Sequence, residues 1–330
     1  MKILVTGGCG FIGSNFIHYI LKNTDHELIN LDALTYSGNP DNLTDIEKNK
    51  NYSFVHGRIE DKKLVSGLVQ DVDYLVNFAA ESHVDRSILD PTPFIVTNIE
   101  GTVALLEACR KSNIKKFVHI STDEVYGELG ETGKFIETLP MLPNSPYSAS
   151  KASADLIIRA YHETYDLPVV TARPSNNYGY YQYPEKFIPL IITNLLEDKP
   201  VPVYGEGKNI RDWIFVEDCC AGIATILDRG KNGEVYNVGG ESEKRNIDIV
   251  KIILKLLGKN ESYIKFVKDR PGHDYRYALD NTKIKKDLGW APKVNLEAGL
   301  AKTVDWYKNN SIWWKPLKER LERENRGFWS

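Results

Sequence analysis

Val5-Thr6-Gly7-Gly8-Cys9-Gly10-Phe11-Ile12-Gly13 is the stretch that decides the fold. Gly8, Gly10 and Gly13 form a GxGxxG pattern, and Gly7 extends it to GxxGxxG. The pattern is weak by itself. Here it follows a short aliphatic run, Ile3-Leu4-Val5, and opens a helix near Phe11. Glycines in that position let the backbone approach a pyrophosphate, and the helix N-terminus offers free N–H groups. Asp32 closes the next aliphatic run, about 20 residues beyond Gly13, where a carboxylate accepts from ribose hydroxyls. It also repels a 2′-phosphate, so the expected cofactor is NAD rather than NADP.

Outward from this loop, short aliphatic or aromatic runs alternate with helical patterns. That alternation predicts βαβ units and a doubly wound parallel sheet of Rossmann type. Strands are expected near Lys2–Thr6, Glu27–Leu31, Ser53–His56, Tyr74–Phe78, Lys116–Ile120 and Val169–Ala172. Helices are expected to start near Phe11, Asp61, Thr92 and Pro146, the last with Ser145 as N-cap and proline at the first helical position. After about Ser175, Pro, Tyr and Trp become frequent and the alternation weakens, as in a less regular region covering the strand ends. The tail 315–325 reads as a charged, solvated helix.

The chain has 330 residues, 42% hydrophobic and 26% charged, with a net charge of −3. It reads as globular, large enough for one big or two interleaved domains. No basic excess points to nucleic acid. The apolar run before the glycines is too short for a signal peptide, and no stretch approaches membrane-spanning length, so the expected location is cytoplasmic. Cys9, Cys109, Cys219 and Cys220 form no CxxC pair and read as reduced core thiols. Seven scattered histidines show no metal spacing, so no metal is expected.

Two motifs carry chemistry. Tyr147-Ser148-Ala149-Ser150-Lys151 puts Tyr147 and Lys151 at i and i+4, on one helix face. A nearby ammonium favours phenolate and is expected to lower the tyrosine pKa. Ser121-Thr122-Asp123-Glu124-Val125-Tyr126-Gly127 follows the strand Lys116–Ile120 and so falls at the carboxyl end of the sheet, where such folds bind ligands. Two adjacent acids serve acid–base chemistry if their environments split them, one protonated and one ionised.

With these motifs in that order, the chain resembles the extended short-chain dehydrogenase/reductase family over nearly its whole length. Within it, the STDEVYG segment resembles the dTDP-glucose 4,6-dehydratases, hydro-lyases of deoxysugar and rhamnose biosynthesis. So do Asp32-Ala33-Leu34-Thr35-Tyr36-Ser37-Gly38-Asn39, Ala79-Ala80-Glu81-Ser82-His83-Val84-Asp85-Arg86-Ser87 and Asp269-Arg270-Pro271-Gly272-His273-Asp274. The resemblance implies an NAD-binding domain of residues 1–175 plus about 213–239, and a nucleotide-sugar domain of about 176–212 and 240–330. It implies a catalytic set of Thr122, Asp123, Glu124, Tyr147 and Lys151. The implied NAD site comprises Gly7, Gly10, Phe11, Ile12, Gly13 and Asp32. Thr35, Ile59, Ala80, Thr97 and Asn177 join it, together with Tyr147 and Lys151. The implied nucleotide-sugar site comprises Ser82, Thr122, Asn176, Lys186, Phe187 and Pro202, with Tyr204, Arg211, Asn246, Arg270 and His273. Arg211 and Arg270 suit a diphosphate, which guanidinium groups bind bidentately.

In the implied reaction Tyr147 takes the O4 proton as C4 of the sugar is oxidised. Glu124 then removes the C5 proton and Asp123 protonates the departing C6 hydroxyl. C6 is reduced, C5 is reprotonated and NAD is restored each cycle. A homodimer is implied as well, and the apolar content of 94–106 and 156–158 is compatible with it. One departure stands out. The family shows Gly-Asp-Ile after the third strand, its acid contacting adenine, where this chain has Gly57-Arg58-Ile59. Arg58 has no acceptor for the adenine amine. Rival readings are a UDP-glucose 4,6-dehydratase, a nucleotide-sugar 4-epimerase, which needs no acid pair, and a non-catalytic dinucleotide sensor, which needs neither Tyr147–Lys151 nor the acids.

Overall fold

The structure, a computed structural model, describes residues 1–269 and 272–324. The first half alternates as expected: β1 (Lys2–Thr6), β2 (Glu27–Asp32), β3 (Tyr52–His56), β4 (Tyr74–Asn77), β5 (Lys116–Ile120) and β6 (Val169–Pro174) are separated by helical segments. Then follow β7 (Asn176–Tyr178), β8 (Val201–Tyr204), β9 (Ile210–Phe215), β10 (Val235–Val238), β11 (Glu243–Arg245) and β12 (Ile264–Val267). Seven strands make one parallel sheet in the order β10-β6-β5-β4-β1-β2-β3. Its strands are near-continuous apolar runs because both faces are covered. Ile3 and Val5 point to a core with Phe16, Ile17 and Ile223. Leu4 points the other way, to Val65, Leu105 and Ile158.

The chain leaves β1 in both directions, pairing it with β2 on one side and β4 on the other. At such a switch point the loops after neighbouring strands diverge and open a crevice at their carboxyl ends. The helix Pro146–Tyr165 starts as its sequence signals: the Ser145 hydroxyl accepts from the Ser148 N–H, with Pro146 at the first position. It ends at Asp166, which takes a left-handed φ of 53°. Asp61 caps the helix Lys62–Gln70 through the N–H groups of Lys63 and Leu64.

A second apolar core lies around Ile188, Ile192, Trp213, Ile249, Leu300 and Tyr307. It includes the small sheet β11-β9-β7 and the pair β12-β8 on its borders. The helix Thr282–Leu288 packs with the large sheet instead, through Ile284 and Leu288. The tail corrects one expectation. Its helix spans Ser311–Glu324 and shows Lys315, Glu319, Arg320, Glu322 and Arg323 to solvent as expected, but its other face is anchored. Trp314 is fully buried. Lys318 Nζ, also buried, donates to Asn194 Oδ1 at 2.7 Å and meets Glu197 at 2.9 Å. Residue 325 lies outside the described residues. The same helix reaches the glycine loop: Trp313 Nε1 donates to Asn42 Oδ1 at 2.8 Å, and Asn42 Nδ2 donates to the Cys9 carbonyl at 2.9 Å. All four cysteines are free and buried.

Two glycines make a test of this packing. A Cβ on Gly240 would lie 1.8 Å from the Trp213 carbonyl oxygen, so backbone must move, whereas one on Gly67, exposed in its helix, meets nothing within 4 Å. Gly240→Ala is expected to destabilise the protein by about 1–3 kcal/mol or more. Gly67→Ala should stabilise it by about 0.5–1 kcal/mol. Chemical denaturation of both variants checks the pair.

Candidate active site

Gly7 turns at φ 71°, and a Cβ there would fall 2.6 Å from the Ala79 amide nitrogen; on Gly13 it would fall 2.3 Å from the Gly7 carbonyl. The loop is thereby pressed against the end of β4 and against itself. Gly10 caps the helix Phe11–Asn23 with no side chain over its N–H groups, which leaves them facing the crevice. Asp32 ends β2 and is nearly buried. Its two oxygens accept from the Cys9 and Leu34 amides at 2.8 Å each, and burial pushes its carboxyl up against these bonds. Each oxygen keeps a lone pair for another donor.

These groups line a cavity of about 220 Å³. Every cofactor residue expected from the sequence lines it except Asn177. Asn177 sits in the adjoining cavity of about 200 Å³, its Nδ2 bonded to the Ser175 carbonyl. β7 pairs with β9, away from the large sheet, and carries Asn177 with it. Arg58 is exposed at the edge of the first cavity. The Thr97 hydroxyl donates to Glu60 at 2.8 Å. Ser121 Oγ and Gln182 Oε1, buried against this cavity, find no hydrogen-bond partner within the protein.

Ser82, Gln182 and Lys186 line both cavities and mark where they meet. Lys186 Nζ donates to the Ser82 carbonyl at 2.9 Å. Tyr147 and Lys151 face the first cavity and Glu124 the second. Asp123 is 2% exposed and lies beneath them. Thr122 joins the set: its hydroxyl accepts from the Glu124 amide at 3.3 Å, and its single proton serves either Asp123 Oδ1, 3.3 Å away, or the Tyr147 oxygen. Burial, then the charges of Glu124 and Asp212, hold Asp123 well above the usual carboxylate range.

The expected lowering of Tyr147 by Lys151 is not what the structure contains. Burial and the Glu124 charge push the phenol up, and the opposing help comes from the Thr122 hydroxyl. Lys151 is itself buried, which draws it down to about 8, and its ammonium donates to the Ile120 carbonyl at 2.7 Å.

The second cavity gathers Asn176, Phe187, Pro202, Tyr204, Asn246 and His273. Arg211 lines it too, nearly buried, with its guanidinium bonded to the carbonyls of Ile210, Asp274 and Tyr275 and lying over the Tyr277 ring. Carbonyls carry no net charge, so a guanidinium held by them is placed to meet an anion. Arg270 lies outside the described residues. The sequence reading missed Asn98. This buried side chain sits in a π-helical turn, Ile95–Gly101, accepts from the Glu81 amide at 2.9 Å and donates to the Glu81 carbonyl and Ser150. An asparagine inside a helix is the signal that could have found it. It also missed Glu185, pushed up by burial beside Lys186 and Arg86, in a loop without periodicity.

A glycine-cradled cavity at the switch point of a Rossmann sheet, opening beside a Tyr–Lys pair into a second polar cavity, defines an extended short-chain dehydrogenase/reductase. The comparisons narrow this class. Residues 4–303 match the GDP-mannose 4,6 dehydratase family, and the chain belongs to it. It is 52% identical to the dTDP-glucose 4,6-dehydratase of Xanthomonas campestris pv. campestris (strain B100), over 97% of each chain. The crystal structure of the dTDP-glucose 4,6-dehydratase from Streptomyces venezuelae with NAD bound is similar at a TM-score of 0.94 and 48% identity, covering 96% of this chain and 100% of that one. That of the dTDP-glucose 4,6-dehydratase from Bacillus anthracis, in complex with NAD, gives 0.91 and 53%, over 96% and 99%.

Proposed function

We propose that this chain is a dTDP-glucose 4,6-dehydratase, converting dTDP-glucose to dTDP-4-keto-6-deoxyglucose with bound NAD. The observation that carries this reading is the acid pair beside Tyr147: Asp123, buried and pushed up, beneath a cavity-facing Glu124. A C4 epimerase has no use for it. The first cavity fits NAD: the glycine loop and bare helix end suit a pyrophosphate, Asp32 suits a ribose, and Ser121 and Gln182 offer buried polar atoms in need of partners. NAD, when bound, supplies the acceptor for oxidation at C4 and the donor for reduction at C6.

The chain's own residues handle the protons. Tyr147 acts as a phenolate, which the ammonium of Lys151 favours against burial, and takes the O4 proton, and the ketone formed at C4 acidifies C5–H. Glu124 takes the C5 proton, and Asp123 gives its proton to the departing C6 hydroxyl, which leaves as water. Glu124 then returns a proton to C5. In the second cavity Arg211 holds diphosphate oxygens and Lys186 the sugar side of the junction.

The remaining expectations belong to the same proposal. Residues 1–175 and about 213–239 serve the cofactor, and 176–212 with 240–330 serve the nucleotide sugar. Supporting this, β10 pairs with β6 in the large sheet, while β8, β9 and the helix Phe187–Leu196 border the second cavity. The chain acts as a homodimer: Leu89 and Leu156, 68% and 57% exposed on neighbouring helices, are apolar surface for a second copy to cover. It works in the cytoplasm, where four free buried thiols stay reduced. Among the described residues no helix is long and apolar enough to cross a membrane.

Incubation with dTDP-glucose and UDP-glucose tests the substrate, the 4-keto-6-deoxy product of the first being expected to dominate. Glu124→Gln keeps size but removes the base. Elimination should slow by roughly 10²–10⁴, and mass spectrometry should find sugar oxidised at C4 that keeps its C6 hydroxyl; unchanged product formation removes Glu124 from the mechanism. Arg58→Ala is expected to leave NAD affinity nearly unchanged, since exposed arginines contribute little. A loss of about 0.5–2 kcal/mol in a titration means instead that Arg58 stacks on adenine. Deuterium placed at C4 of dTDP-glucose should emerge on C6 of the same molecule, and in heavy water C5 should gain one deuterium. Label retained at C4, or crossing between sugars in a mixture of labelled and unlabelled substrate, overturns the reaction.

A further inference from the structure

Asp155 lies one turn beyond Lys151 on the helix Pro146–Tyr165, on the same face. Its side chain is 2% exposed, and its Oδ2 accepts from Arg173 Nε, on β6, at 2.9 Å. Its Oδ1 has no hydrogen-bond partner. The nearest ring, His119 on β5, approaches that oxygen with Nε2 at 3.8 Å.

The state of His119 follows from a chain through the sheet. The Thr6 hydroxyl donates to Asn77 Oδ1 at 2.6 Å, and Asn77 Nδ2 meets His119 Nδ1 at 3.2 Å. Nδ1 therefore accepts, and the proton sits on Nε2. Burial, then the charges of Lys151 and Arg173, hold the ring neutral. Lys151 Nζ is 3.5 Å from Nε2 but finds no lone pair there. The acceptor left to it is the Ile120 carbonyl, and a carbonyl carries no charge.

Arg173 is a cation from β6, shared between Asp155 and the face of the Tyr126 ring 4.7 Å away. Asp123 and Glu124, from the turn after β5, act on Tyr147. His119 is neutral. Against the burial of Lys151 the opposing charge comes from Asp155.

We propose that Asp155 is a positioning residue of this site: its buried carboxylate is the counter-charge that keeps Lys151 an ammonium beside Tyr147. The inference rests on the reading of Tyr147 and Lys151 as the working pair given above. Asp155 touches neither cavity; it acts on Lys151, and its charge also bears on Tyr147, against the phenolate. Removing its charge must make Lys151 easier to deprotonate, so Lys151 loses its proton at lower pH and the alkaline limb of activity moves down with it.

The test is an NMR titration of ¹³C-labelled lysines in the NAD-loaded protein, with the Lys151 signal identified by its loss in Lys151→Arg. Asp155→Asn should titrate Lys151 about one pH unit or more below the parent, the scale for losing a nearby opposite charge. Asp155→Glu, which keeps the charge, should bring it back. If Asp155→Asn alone folds poorly because Arg173 is left unpaired, Asp155→Asn/Arg173→Met is read against Arg173→Met, which loses the same cation, and should titrate Lys151 about one pH unit below it. The alkaline limb of kcat should follow in each variant. A Lys151 titration unmoved in the Asn variants, with only the melting temperature lowered, overturns the inference and leaves Asp155 a mere partner of Arg173. The two readings fail separately. A Lys151 shift in a protein that does not turn over dTDP-glucose sinks the reaction and keeps Asp155. Turnover with an unmoved Lys151 does the reverse.

Discussion

The bond from Lys151 Nζ to the Ile120 carbonyl, 2.7 Å long and buried, ties the helix Pro146–Tyr165 to the last residue of β5. Much of the site hangs on it. Ile120 is followed directly by the turn holding Thr122, Asp123 and Glu124, and one turn before Lys151 the helix carries Tyr147. One contact therefore brings together two stretches of chain, each bearing half the chemistry. It also commits an ammonium to the interior, where a cation is costly unless paired and bonded.

That commitment explains the polar layer behind the sheet. Thr6, Asn77, His119, Asp155 and Arg173 come from β1, β4, β5, a helix and β6, and each is buried. In front of the layer the logic is reversed. Burial, with the charges of Glu124 and Asp212, disfavours the charged form of Asp123 instead of supporting it.

Much of this was legible in the sequence because it is local. The glycine loop, Asp32, the capped start at Ser145-Pro146 and the i, i+4 pair depend on neighbours within a turn or a loop, and the strands came out within one or two residues. What escaped depends on distance. Asn98 is explained only by Glu81, 17 residues away, and by Ser150 on another helix. Lys318 looks like surface charge until Asn194, 124 residues earlier, is seen beside it. Asn177 lines the other cavity because a three-residue strand chose β9 as its partner, which no periodicity over three residues can announce. The effect of Lys151 on Tyr147 failed for another reason: spacing gives proximity, but burial decides what a charge is worth.

The link from Trp313 through Asn42 to the Cys9 carbonyl joins residues 271 positions apart across its first bond. During synthesis at about 5–20 residues per second, Asn42 waits on the order of tens of seconds for its indole. The strands of the large sheet up to β10 have all been made by then, while the loop that cradles a pyrophosphate still lacks its outer brace. A chain stopped before Ser311 would carry every strand of the large sheet and lack the indole that reaches the glycine loop through Asn42.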